Sequence, residues 1–245
     1  MYKNSRHHLL IQSTSELGLL MEEKVRVKTR PADWQNTQHP VILPLSIYSA
    51  LYQGSTGDSK IASLLKVVTG GVKGKVTVLL CEGAHIHSMS LKYPDLEKAK
   101  QACHHDALLL LERYNAAFQG CDIAYWDTFV TQDENYHLLA SELHKLYQTN
   151  NEFQELIKTD VANSSKKDFA LQPANQSLYY GKLELDLLEQ CIYLLVAAKK
   201  GYKFEFYIGK RTNCVDYINT HFLPPNHRLV RVNVTIGTPQ NNRIV

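Results

Sequence analysis

The stretch "VILPLSIYSALYQG", residues 41–54, decides how this chain folds. Val41, Ile42 and Leu43 follow one another with no polar alternation, and Pro44 and Leu45 extend the run. A short, continuous apolar run is the signature of a strand buried on both faces, as in a parallel sheet. The run ends on a hydroxyl, Ser46, and aromatic and small residues follow it instead of a solvated loop. A polar residue at the end of a buried strand is the feature the rest of the sequence has to explain.

Working outward, the same kind of strand recurs between helical patterns. "YQGSTGDSK" is a glycine-containing turn, and Asp58 or Ser59 is placed to cap a helix, "KIASLLKVVTGG", that ends at Gly70–Gly71. "KVTVLLCEG" (75–83) is a second strand, rich in β-branched residues. "PDLEKAKQACHHDALLLLERYNAAFQG" opens on proline and closes on glycine, the polarity of a helix. "CDIAYWDTFV" is expected as a third strand, followed by helices over about 133–147 and 150–162. "ANSSKKDFALQPANQS" is loop-like. A long helix over about 177–200, a fourth strand "YKFEFYIG", a short helix "CVDYINTHF" and a fifth strand "HRLVRVNVTIG" complete the chain. Strand–helix alternation predicts an α/β fold, a doubly wound and mainly parallel five-stranded sheet. Ligands in such sheets bind beyond the carboxyl ends of the strands. Ser46, Glu82, Trp126, Asp127 and Tyr207 are therefore expected at a ligand crevice.

Composition sets the limits. The 245 residues suit one large α/β domain, and 44% apolar content is ordinary for a globular protein. Residues 1–38 are expected as an N-terminal extension, 39–237 as the core and 238–245 as a flexible tail. No run approaches the roughly 18 apolar residues of a membrane span, and the first apolar run is short for a signal peptide, so a cytoplasmic protein is expected. Five scattered cysteines without C-x-x-C spacing argue against disulfides or a zinc knuckle. The net charge of +3 permits a polyanionic partner without requiring one.

Motifs for nucleotide and metal chemistry are weak. There is no G-x-G-x-x-G after a strand and no G-x-x-x-x-G-K-[ST]. "CEGAHIH" (Cys81, His85, His87) and "CHH" (Cys103, His104, His105) bring metal-ligating residue types together, but scattered surface histidines account for them, and no metal or cofactor is expected. Ser46 lies in "PLSIY", without the glycines of a hydrolase elbow. A serine with no sequence-adjacent base suits an already activated acyl donor. In the long helix, Tyr180 and Glu184 are four apart and share a face. A phenol and a carboxylate together can hold an ammonium group and pass a proton.

Taken together, "VILPLSIYSALYQG" with Gly54, "IAYWDTF", "NYHLLASELHKLYQTNNEFQELI", "YYGKLE" and "FEFYIG" resemble the tRNA-dependent cyclodipeptide synthases from about residue 39 to 237. The resemblance implies a single Rossmann-like domain, similar to the catalytic domains of the class I tyrosyl- and tryptophanyl-tRNA synthetases but without their ATP signatures. It implies two aminoacyl-tRNAs as substrates, a cyclic dipeptide as product and a ping-pong route through an aminoacyl-Ser46 and a dipeptidyl-enzyme. By the same resemblance, Tyr180 and Glu184 hold the free ammonium group, and Tyr207 relays protons in ring closure. Leu43, Pro44, Ser49, Glu82 and Trp126 line the substrate site. A monomer is expected, with no membrane partner, and Lys98, Lys100, Lys199 and Lys200 are the candidate tRNA contacts.

The chain departs from the family pattern at three positions. Pro44 stands where a glycine is usual two residues before the serine. Ser49 stands where one branch has asparagine. Ile208 follows the late tyrosine, where that branch has histidine and the other usually has proline. Glu189, on the same helix as Glu184 but five residues on, faces a different direction and is the rival acid. The other readings of the sequence are a different transferase or hydrolase acting on a small acyl substrate, and a non-catalytic tRNA-binding module.

Overall fold

The computed structural model describes residues 24–28, 34–46, 55–165, 173–208 and 212–237. Ser49 and Gly54 lie outside them. The elements in chain order are β1 (Lys24–Lys28), β2 (Val41–Leu45), α1 (Ser55–Gly71), β3 (Val76–Leu80), α2 (Ile86–Met89), α3 (Leu96–Arg113), β4 (Asp122–Tyr125), α4 (Tyr136–Thr149), α5 (Asn151–Ser165), α6 (Pro173–Lys199), β5 (Phe204–Ile208), α7 (Asn213–His221) and β6 (Val230–Gly237). Sheet order is β1-β6-β5-β2-β3-β4. The five strands from β2 to β6 are all parallel, as the alternation of strands and helices predicts.

One strand was not anticipated. β1, "KVRVK", pairs antiparallel with β6 and adds a sixth, edge strand from within the expected extension. Its alternating basic and β-branched residues are a period-two pattern, easily taken for a charge group in so short a stretch. Lys and Arg on an edge strand also discourage pairing with a further chain.

Both faces of the sheet are covered, so every residue of β2 and β3 is buried. Side chains alternate between two cores. Val41, Leu43, Leu45, Val78, Leu80, Phe204 and Phe206 pack with Leu64, Leu65 and Val68 of α1 and with Ala107 and Leu110 of α3. Ile42, Leu79 and Cys81 pack on the other face against α4, α5, α6 and α7, through residues such as Leu143, Phe153, Ile157, Leu188, Ile192 and Ile218.

The third strand is shorter than its sequence suggests. β4 ends at Tyr125, and Asp127–Thr131 form a turn of π-helix. The apolar residues that read as strand, Phe129 and Val130, are buried from this helical turn instead. The backbone N–H of Trp126 is taken by the Glu82 carboxylate at 2.9 Å, which ends the ladder there.

α7 is tied to α5 by a buried carboxylate. Asp160, 4% exposed, accepts the Cys214 backbone N–H at 2.9 Å and the Asn213 amide at 2.8 Å. These donors lie in the first turn of α7, where a helix needs acceptors. Asp160→Ala leaves both unsatisfied and is expected to lower stability by about 2–3 kcal/mol. Urea unfolding checks this; a change below about 0.5 kcal/mol would show that the link is idle.

Candidate active site

The sheet reverses its winding between β2 and β5. The helices that follow β2 and β3 cover one face, and those between β4 and β6 cover the other. The crossovers part above these two neighbouring strands, and a crevice opens at their carboxyl ends. Ser46 is the residue after β2 and is partly exposed. By alternation it shares the α6 face with Ile42 and Pro44. Tyr207 on β5 lies on the same face, because Phe206 points into the α1 core.

Tyr207 is held over a buried ion pair. Arg231 Nε donates to Glu205 Oε2 at 2.6 Å, and both side chains are more than nine-tenths buried. The guanidinium lies 4.5 Å from the Tyr207 ring centroid. Burial raises the Tyr207 pKa, and the Arg231 charge opposes that rise. Its phenol is therefore neutral at physiological pH, able to give a proton and take one back.

Ser46 adjoins a second group of residues. The Leu45 carbonyl accepts the Cys81 N–H at 2.9 Å, so Ser46 and Glu82 follow directly on the last bond between β2 and β3. Glu82, Gly83, His87, Lys100, His104, Trp126, Asp127, Tyr136 and Glu189 line a cleft of about 140 Å³ beyond β3 and β4. Ser46 does not line it. Glu82 is 5% exposed, and burial pushes its carboxyl up to about 8, with Asp127 adding to the effect. Glu189 Oε1 accepts the Tyr136 hydroxyl at 2.6 Å and lies 3.7 Å from His87 Nε2. Gly83 is required by close approach, since a Cβ there would overlap the Trp126 indole. Asp186 fixes the wall by accepting the His87 and Ser88 N–H groups at 2.9 and 3.2 Å.

The remaining expected residues fall elsewhere. Leu43 is fully buried in the α1 core, facing away from α6. Pro44 is buried mid-strand opposite Leu79. Tyr180 is half-buried, and its hydroxyl is 2.6 Å from Gln176 Nε2. Glu184 is half-buried and bonds the Tyr147 phenol, whose pKa is raised by burial and then by that bond. The cleft thus takes the rival acid, Glu189. Lys98 and Lys100 are in the first turns of α3, and Lys100 pairs with Glu97 at 3.2 Å. Lys199 and Lys200 precede β5 and so stand toward the amino ends of the strands, away from Ser46 at the carboxyl end of β2. Lys200 pairs with Asp133 at 2.7 Å over the Phe129 ring.

Glu205, Arg231 and Tyr136 were not anticipated. "FEFYIG" and "LVRVN" do carry a signal, a charge inside each buried strand, because opposite charges on adjacent strands can bury only as a pair. Tyr136 meets Glu189 across 53 residues of chain, which no local pattern encodes. Among the described residues no group of histidine, cysteine and carboxylate side chains is arranged to hold a metal, and no helix is long and apolar enough to cross a membrane.

Comparison with known proteins supplies the fold. No family model and no curated protein sequence matches the chain. Solved structures do. A CDPS (cyclodipeptide synthase) from Fluoribacter dumoffii superposes with a TM-score of 0.78 at 19% identity, over 89% of this chain and 99% of that one. A cyclodipeptide synthase from Candidatus Glomeribacter gigasporarum bound to Phe-tRNAPhe gives 0.56 at 15% identity, over 88% and 94%. The tyrosyl-tRNA synthetase of Archaeoglobus fulgidus, complexed with L-tyrosine, gives 0.51 at 10% identity, over 83% of this chain and 55% of that one. The chain has the Rossmann-like fold of the cyclodipeptide synthases, a fold also found in a class I tRNA synthetase.

The Glu82 carboxyl has a consequence for stability. Its pKa is about 8 when folded and near the ordinary glutamate value of 4.5 when unfolded. Between those values the folded state binds the extra proton, so stability falls as pH rises and levels off above about 8. Glu82→Gln removes this slope. Wild type and variant are expected to match near pH 4, with the variant gaining until about pH 8. Thermal unfolding across pH tests this, and parallel curves would contradict it.

Proposed function

We propose that this protein is a tRNA-dependent cyclodipeptide synthase that joins two aminoacyl groups through a covalent intermediate on Ser46. The observation that carries the proposal is the position of Ser46, at the crevice where the winding reverses, in a chain whose fold follows a cyclodipeptide synthase over 89% of its length.

The chemistry is a sequence of acyl transfers. The Ser46 hydroxyl attacks the ester carbonyl of the first aminoacyl-tRNA. A Ser–acyl bond forms, the ester bond to the ribose breaks, and the serine proton leaves with the ribose hydroxyl. The energy is already stored in the tRNA ester, so a serine without a strong base is sufficient. The amine of the bound aminoacyl group then attacks the second aminoacyl-tRNA, forming a peptide bond and releasing the second tRNA. Finally the new amino terminus attacks the Ser46 ester, which closes the ring and restores the hydroxyl. That last step is intramolecular, and well-oriented reactions of this kind gain effective molarities of about 10⁵–10⁸ M.

Tyr207 is assigned the proton relay in ring closure, since its neutral phenol shares the face of Ser46. Tyr180 and Glu184 on α6, at the spacing the family resemblance gives them, are assigned the ammonium group of the first aminoacyl unit. Glu189 pairs instead with Tyr136 of α4, nearer the crevice ends of β3 and β4. Pro44 lies on the same face of β2 as Ser46. For tRNA, Lys98 and Lys100 are favoured over Lys199 and Lys200, because α3 begins at the crevice edge of the sheet.

The test is expression in bacteria with mass spectrometry of the medium. Wild type is expected to release a cyclic dipeptide, and Ser46→Ala to lower it by about 10³-fold or more while keeping the fold. Tyr207→Phe is expected to slow release by about 10²-fold or more. Undiminished product from Ser46→Ala would overturn the proposal.

A further inference from the structure

The cleft beside Ser46 contains carboxylate oxygens that nothing among the described residues satisfies. Glu82 Oε2 and Glu189 Oε2 are both buried without a hydrogen-bond partner. Their sister oxygens are committed, Glu82 Oε1 to the Trp126 N–H at 2.9 Å and Glu189 Oε1 to the Tyr136 hydroxyl at 2.6 Å. Glu82 is 5% exposed, and both residues line the same cleft. The basic side chains that line the cleft have contacts of their own. Lys100 reaches outward to Glu97 at 3.2 Å, and the His104 ring packs on Tyr125 at 5.3 Å. His87 lies 3.7 Å from the committed oxygen of Glu189.

An unpartnered carboxylate oxygen in a desolvated cleft is costly, and two in one cleft call for a donor that arrives with the ligand. An apolar side chain would leave both unsatisfied. A guanidinium or ammonium group offers several N–H donors together with a positive charge, which favours release of the proton that burial otherwise keeps on Glu82. The Trp126 indole, 2% exposed and on the cleft wall, supplies an apolar and cation-compatible surface for the stem of such a side chain.

We propose that this cleft selects an aminoacyl group with a cationic side chain, of the arginine or lysine type, held by Glu82 Oε2 and Glu189 Oε2. The inference rests on the aminoacyl-transfer reading above. Ser46 adjoins Glu82 at the end of the strand ladder, so an acyl group on Ser46 reaches the cleft through its side chain.

The probes are arginine methyl ester and norleucine methyl ester, which share an α-ammonium and an ester and differ in side-chain charge. Calorimetric titration of the purified full chain is expected to show arginine methyl ester binding at least about tenfold tighter. Glu82→Gln and Glu189→Gln should each remove most of that preference without abolishing norleucine ester binding. Circular dichroism of each variant verifies its fold. Equal affinities, or no binding of either ester, would overturn the proposal. So would a Glu189→Gln effect equal on both esters, because it would assign Glu189 to the α-ammonium. Product analysis separates the two readings. Cyclic dipeptides with only uncharged side chains would refute the selectivity and leave the synthase intact. A wild-type culture that releases none would refute the synthase, while the esters still decide the cleft.

Discussion

A parallel sheet whose inner strands β2 and β3 are buried on both faces leaves the chain little room for polar chemistry. The core clusters on either side of the sheet are apolar. The exception is the end of the sheet where the helices above β2 and β5 diverge to opposite faces. There the strands run out, ladder bonds stop, and side chains meet space instead of helix. The strand order alone creates this opening, so any residue that follows β2, β3 or β5 inherits a place at its rim. Ser46 and Glu82 follow β2 and β3 there, and Tyr207 is one residue short of the end of β5.

α6 turns that opening into a specific site. Its buried side covers the sheet with Leu188, Cys191, Ile192 and Ala197, and the same side carries Asp186, Glu189 and Tyr193. Asp186 fixes α2, which brings His87 to the cleft. Glu189 meets Tyr136 of α4. The Tyr193 ring packs on Trp126 at 5.7 Å, and burial raises the pKa of its phenol beside Glu205. The Glu205–Arg231 pair then supports Tyr207 from below. Removing one member of such a pair would strand a buried charge, so the pair behaves as a unit. Its value here is geometric: it fixes the tyrosine ring by a planar cation that cannot lose its proton.

Much of the fold was legible because burial on two faces has a clear signature. "VILPL", "VTVLL" and "FEFYI" are near-continuous apolar runs, and each is a parallel strand. "DIAYWDTFV" misled for the same reason, since an apolar run does not say whether it is buried from a strand or from a helical turn. "KVRVK" was hidden by its charges. In the site, Glu82 and Trp126 were legible because strand ends predict the crevice. That Glu189 and not Glu184 lines the cleft was not, because it depends on how α6 is rotated against α4 and α2. That rotation is set by Asp186 and Tyr136, contacts about 99 and 53 residues apart in sequence. The unpaired oxygens of Glu82 and Glu189 are equally invisible to sequence, since only packing can deny a carboxylate its partners.

The central claim is that Ser46 carries an acyl group taken from tRNA. Intact-protein mass spectrometry tests it most directly, after the purified chain is mixed with a pool of aminoacyl-tRNA and quenched in acid. The account predicts a mass gain of one aminoacyl residue that maps to the peptide containing Ser46 and is absent from Ser46→Ala. Deacylation of the tRNA at undiminished rate by Ser46→Ala, or an adduct on any other residue, would contradict it.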